Sequence, residues 1–107
     1  MGKKAIISQP MNGIKEDDII AAREKAISWL HENGYEVVNT LFTDEWYSKE
    51  NMEERGVVNP ALCFLAKSLD NMCLVDTVYF CKGWDHARGC QVEHFAAKCY
   101  GLHVIYE

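Results

Sequence analysis

The chain has 107 residues, 49% hydrophobic and 25% charged, with 11 basic and 16 acidic side chains giving a net charge of -5. That is room for one α/β-sized domain spanning residues 1–107 and no second one. The acidic balance, with no basic cluster beyond Lys3-Lys4, argues against a nucleic-acid surface, and no apolar run approaches the length needed to span a bilayer.

A first strand is expected at Lys4 to Ser8, a nearly continuous apolar run of the kind buried on both faces. With that strand starting so early there is no space for a signal peptide, so a cytoplasmic protein is expected, with neither membrane nor nucleic acid as partner. Gln9-Pro10-Met11-Asn12-Gly13 reads as a turn. From Lys15 to Asn33 the residues Ile19, Ala22, Ala26, Ile27 and Leu30 form one helical stripe, with Glu16, Asp17 and Asp18 in its first turn and Asn33-Gly34 as its stop. Tyr35 to Thr40 is the second strand. Strand, helix and strand with short links make a βαβ unit, hence a parallel sheet.

The irregular stretch Leu41 to Asn59 carries Trp46 and Tyr47 and is expected to hold a short helix at Lys49 to Glu54. Pro60 opens another helix with Ala61, Leu62, Leu65, Leu69 and Met72 facing the core. Thr77 to Cys81 is the third strand, Gly89 to Tyr100 the last long helix, and Leu102 to Tyr106 the fourth strand. In that last helix Val92, Phe95, Ala96, Cys99 and Tyr100 form the expected core stripe, with Gln91, His94 and Lys98 opposite. Glu93 then falls on the stripe's flank, about 130° from the centre of the polar face at roughly 100° per residue. The architecture expected is a minimal doubly wound parallel sheet of order 2-1-3-4 with helices on both faces.

In such a sheet the ligand crevice lies beyond the carboxyl ends of strands 1 and 3. Two segments converge there, Ser8 to Ile14 and Lys82 to Arg88, and Gly13 and Gly89 allow close backbone approach ahead of helix starts that attract anions. Neither GxGxxG nor GxxxxGKS/T occurs, which removes the dinucleotide and Walker signatures. Asp85 lies in the right loop to form with Glu93 the carboxyl pair of glycosyl-transfer chemistry, or to be an ordinary turn aspartate. His86 can shuttle protons or be merely exposed. Trp84 can cover a base or pack over the sheet edge. Asp70 and Asp76 fall towards the wrong end of the sheet.

The five cysteines, Cys63, Cys73, Cys81, Cys90 and Cys99, contain no CxxC pair, so neither a zinc site nor a disulfide framework is expected, and no cofactor is called for. Cys81 and Cys99 suit core positions. Cys90 sits at a helix start where a thiolate is favoured.

The run Ile6-Ile7-Ser8-Gln9-Pro10-Met11-Asn12-Gly13, then Asp76 to Trp84, then Ala87-Arg88-Gly89-Cys90-Gln91-Val92-Glu93-His94-Phe95 with Tyr100-Gly101, resembles the nucleoside 2-deoxyribosyltransferase-like superfamily, and within it a small branch found in Firmicutes and their phages. The resemblance implies a flavodoxin-like sheet and cleavage or transfer at the N-glycosidic bond of a (deoxy)nucleoside or its 5′-monophosphate. By the same resemblance Glu93 is the nucleophile, and the loop residues Asp85 and His86 are the candidate acids beside it. Ser8, Gln9, Met11, Asn12 and Gly13 then line the sugar and base pocket. Gly83, Trp84, Arg88 and Gly89 lie around the turn facing the 5′ end, where Arg88 can pair with a phosphate. Ala87 stands where active relatives carry an aspartate or serine, and Ser68 where they carry a helix aspartate. A homodimer or higher homo-oligomer is expected.

Two other functions fit the same residues. One is a non-catalytic nucleotide or nucleotide-sugar binder acting as sensor or sequestering module. The other is a scaffold whose acidic segment Thr43 to Glu54 holds a protein partner.

Overall fold

The computed structural model describes residues 3–38 and 47–107. Four parallel strands form one sheet: β1 (Lys3–Ser8), β2 (Tyr35–Val37), β3 (Thr77–Phe80) and β4 (His103–Tyr106), in the order β2-β1-β3-β4. The register sets Ala5 against Val37 and Thr77, Ser8 against Phe80, and Phe80 against Tyr106. The doubly wound α/β topology expected from the alternating patterns is therefore the one formed. The expected residues Asn39 and Thr40 of the second strand, and Trp46, lie outside the described residues.

Alternation along β1 and β3 divides the core in two. Ala5 and Ile7 of β1 join Tyr79 and Cys81 beneath α1 (Glu16–Glu32), which contributes Ala26 and Leu30. Ile6, Val78 and Phe80 point to the opposite face, where Met72, Val75 and Ala97 complete a second cluster with the half-buried Leu69 and Ala96. Both faces of the inner strands are thus covered, which is why they read as unbroken apolar runs rather than alternating ones. Phe80 and Leu30 are fully buried, and each such side chain contributes about 1.5–3 kcal/mol.

The helix limits follow local chemistry. Ser48 Oγ accepts from the Asn51 amide at 3.2 Å to open α2 (Lys49–Glu54), and Asn59 Oδ1 accepts from the Leu62 amide at 3.1 Å to open α3 (Pro60–Asn71) ahead of its Pro60 start. Tyr47 lies with its ring 6.4 Å from that of Phe64 and has Lys67 Nζ 5.7 Å from its centroid, so Tyr47 packs on α3. Helix α4 (Arg88–Cys99) has Ala87 at its N-cap and no side-chain cap.

Helix α4 is rotated from its expected setting. Phe95 is 70% exposed and Tyr100 86%, while Cys90 and Ala97 are buried and Glu93 and His94 half-buried. The inward line is 90, 93, 94 and 97, again an i, i+3, i+4, i+7 stripe but displaced from the most hydrophobic one. The small Ala97 lets the helix lie close over the large Phe80, which the bulk of Phe95 would prevent, and the small Cys90 is buried on the same side of the helix. Cys99 is exposed for the same reason, contrary to the core position expected for it. On α3, Leu62 is likewise exposed and the inner surface passes through Leu65, Leu69 and Met72.

Candidate functional site

The crevice forms where β1 and β3 release their chains. After β1, Ile14 N donates to Met11 O at 3.2 Å, closing a turn in which Gly13 takes φ 77. After β3, Trp84 N donates to Cys81 O at 3.1 Å around Gly83, whose φ of 92 and ψ of 0 are those of the third residue of a type II turn. Glu107 fixes the base of this second loop. Its Oε1 accepts from Lys82 N at 2.8 Å and its Oε2 pairs with Lys25 Nζ at 3.1 Å, contacts that hold the carboxyl below its ordinary range.

Two cavities open between the loops. The first, about 200 Å³, is walled by the end of β1, by Met11 and Arg23, and by Ala61, Phe64, Leu65 and Ser68 of α3. The second, about 700 Å³, is walled by Pro10 to Asn12 and Ile14 on one side and by Lys82, Gly83 and His86 to Cys90 on the other. Gln9, Met11, Gly89 and Glu93 belong to both. Glu93 therefore stands where the chambers meet, and it is the one carboxylate among the described residues lining either. The first chamber is largely apolar with a few polar points. The second carries Lys82, Arg88 and His86 beside the uncapped start of α4, a setting for an anionic group.

The environment of Glu93 follows from its inward position. Burial pushes its pKa from 4.5 up to about 7, and the Ser8 hydroxyl works in the opposite direction. Ser8 Oγ lies near enough to Glu93 and to the Cys90 thiol to favour the ionised form of both, although neither contact reaches hydrogen-bond geometry and the hydroxyl is left without a partner. The Cys90 thiol is itself raised, first by burial and then by the neighbouring Glu93 charge. The thiolate expected at this helix start is thus disfavoured, because the cysteine faces inward.

The residues expected to act divide along this boundary. Ser8, Gln9, Met11, Asn12, Gly83, His86, Arg88, Gly89 and Glu93 line one or both cavities. Gly13 shapes the β1–α1 turn without lining either. Asp85 lies outside both: its side chain is exposed 3.8 Å from His86 Nε2, and its carbonyl accepts from Gln91 Nε2 at 2.6 Å. Trp84 turns the other way. Its ring stacks on His94 at 4.2 Å and packs against Phe80 and Tyr106, while His94 Nε2 lies 2.7 Å from Tyr106 Oη. That fixes the loop to the rim of the sheet and leaves the solvated role expected of His94 unfilled. Arg23, Phe64 and Leu65 line the first chamber without having been expected there from sequence, Leu65 having been read only as a core residue. Arg23 follows Ile19 by one helical turn, and that placement beside the stripe is the signal that would have found it. Among the described residues no group of three or more His, Cys, Asp or Glu is placed to hold a metal ion. No helix among them is long and apolar enough to cross a membrane.

Residues 3–106 match DUF4406, a domain of unknown function. The chain belongs to the DUF4406 family. No curated protein and no solved structure matches it significantly. In this DUF4406 chain the match runs from the first residue of β1 to the last of β4, so the whole sheet and both crevice loops fall inside it.

Proposed function

We propose that this DUF4406 domain binds a nucleoside or nucleoside 5′-phosphate across the two chambers and breaks its N-glycosidic bond with Glu93 as nucleophile. The observation that carries the proposal is the position of Glu93, half-buried in the wall shared by an apolar chamber suited to a base and a cationic chamber suited to a phosphate. The resemblance of the β1 loop and of the Gly83 to Glu93 run to nucleoside 2-deoxyribosyltransferases supports the same assignment. In the first step a Glu93 carboxylate oxygen bonds to C1′ as the C1′–N bond breaks. The electron pair of that bond leaves on the base nitrogen, which takes a proton from His86 or from water. Water or a second base then attacks C1′ and releases the carboxylate.

Two carboxyls serve this chemistry in most glycoside-cleaving sites, and here only one lines the cavities among the described residues. That observation favours a second reading, a non-catalytic nucleotide binder, in which Glu93 accepts a hydrogen bond from the ligand. The deciding experiment is release of free base from a panel of nucleosides and nucleoside 5′-monophosphates by the wild type and by Glu93→Ala. Release that disappears in the variant establishes cleavage. Ligand binding without release in the wild type, retained in Glu93→Gln, establishes the binder. We further propose that the outward face of α4 is covered by a second copy of the chain.

A further inference from the structure

Gln9, the first residue after β1, has its side chain fixed at one end and unpartnered at the other. Its Nε2 donates to the carbonyl of Ile19 in the first turns of α1 at 2.6 Å. A carbonyl can only accept, so the amide nitrogen must occupy that side and Oε1 must point away from it. Oε1 is buried and accepts no hydrogen bond. The residue beside it repeats the pattern, since Ser8 Oγ is buried and also unpartnered. Two of the three such side-chain atoms among the described residues thus belong to adjacent residues at the end of β1, both of which help wall the cavities that meet at Glu93.

An unpaired buried acceptor is costly, and removing the cost requires a donor. The place of Gln9 indicates which donor. It lines both chambers, as Glu93 does, so it stands at neither the base end nor the phosphate end but at their junction. If Glu93 attacks C1′ there, the groups beside that carbon are the ring hydroxyls of the pentose. Met11, half-exposed, unbranched and common to both cavities, is the side chain able to yield as the sugar enters.

Resting on the proposed nucleotide reading, we infer that Gln9 is a specificity residue whose Oε1 accepts a hydrogen bond from a pentose ring hydroxyl, so that the site selects ligands carrying that hydroxyl over their deoxy analogues. The anchor on Ile19 is what makes the selection strict: an amide held in one orientation cannot turn its nitrogen towards a ligand that lacks the donor. A site built to receive a hydroxyl rejects the analogue without it because its own acceptor is left unpaired.

The test is calorimetric titration of the whole chain with adenosine 5′-monophosphate and its 2′-deoxy, 3′-deoxy and 2′,3′-dideoxy forms, each repeated with the uridine series. The expected result is that one deoxygenation, the same for both bases, weakens binding roughly tenfold or more. Gln9→Met, checked for folding by circular dichroism, should bind parent and deoxy forms alike. Equal affinity for all sugars in the wild type overturns the inference while the nucleotide reading stands. Discrimination that follows the base rather than the sugar, or that persists unchanged in Gln9→Met, overturns it as well. Absence of binding by every nucleotide overturns the inference and the underlying reading together. Where Gln9→Met fails to fold, Gln9→Ala takes its place with the same expected and overturning results.

Discussion

The Ser8 hydroxyl, at the end of β1, faces the Glu93 carboxyl of α4 and is the side chain that opposes burial in setting its protonation. Burial holds Glu93 near pH 7, so at neutral pH only part of the population carries the charge a nucleophile needs. Base release should accordingly rise with pH through about 7. Ser8→Ala removes a group that favours the ionised form and should move this rising limb to higher pH. Because the hydroxyl is buried without a partner, the same change should leave stability unaltered or slightly increased. A pH–rate profile of the two proteins checks the point, and an unmoved limb in Ser8→Ala would show that Ser8 does not act on Glu93.

Glu93 also makes stability depend on pH. Its folded-state pKa of about 7 lies above the ordinary 4.5, so the folded chain holds the proton more tightly than the unfolded one. Below about pH 4.5 both states are protonated and nothing is lost. As pH rises from there through 7 the unfolded chain ionises first, and the native state loses stability, by about 3 kcal/mol at the upper limit. Glu93→Gln, which never ionises, should match the wild type at pH 4 and exceed it at pH 8. Urea unfolding at the two pH values measures the gap, and equal gaps would mean that Glu93 is solvated in the folded chain.

The strand order, both crevice loops and most helix limits were legible in the sequence because each has a local cause. Ile19 to Leu30 keep helical spacing, Gly13 and Gly83 mark turns, and Pro60 marks a helix start. The rotation of α4 was not legible. Hydrophobicity placed Val92, Phe95 and Tyr100 inside, whereas packing over Phe80 selected the small Ala97 and brought Cys90 and Glu93 inward with it. The place of Glu93 at the crevice was therefore easier to read than its burial. Arg23 and Phe64 were missed because they reach the crevice from helices whose patterns concern the core; Arg23 at least stands one turn after Ile19, whereas nothing in the spacing of α3 reports that Phe64 lines a cavity. The third strand's loop illustrates the same limit, since Trp84 and Asp85 are adjacent in sequence to His86 yet only His86 lines the cavity.

Two glycines of the crevice should respond in opposite ways. Gly83 has a left-handed backbone, so Gly83→Ala should destabilise the chain by about 1–2 kcal/mol even though the nearest atom to the added Cβ, Pro10 Cγ, is 3.6 Å away. Gly89 lies inside α4 without positive φ, and a Cβ there would stand 4.0 Å from Glu93 Oε1. Gly89→Ala should gain up to about 1 kcal/mol in helix stability. It should also narrow the junction of the two chambers, and so lower nucleotide affinity. Thermal unfolding with and without ligand separates the two effects; a Gly89→Ala protein that is more stable and binds as well as the wild type would remove Gly89 from the site wall.

Phe95 and Tyr100 project from the outward side of α4, 70% and 86% exposed, with Val92 at 39% one turn before Phe95. Leu62 of α3 is also exposed, to 60%. Near them a cavity of about 350 Å³ between the helices is lined by Leu69, Met72, Cys73, Ala96, Tyr100 and Leu102, none of them charged. An apolar surface of this kind is unusual on a monomer and typical of an interface between subunits. With a second copy covering it, Phe95→Glu should place two carboxylates in the interface and convert the assembly to monomers. Since Phe95 contributes little to the fold of one chain, the monomer's own stability should change by no more than about 0.5 kcal/mol. Sedimentation equilibrium of the two proteins over a hundredfold concentration range checks this, and a wild type that stays monomeric throughout would leave the α4 face without the proposed partner.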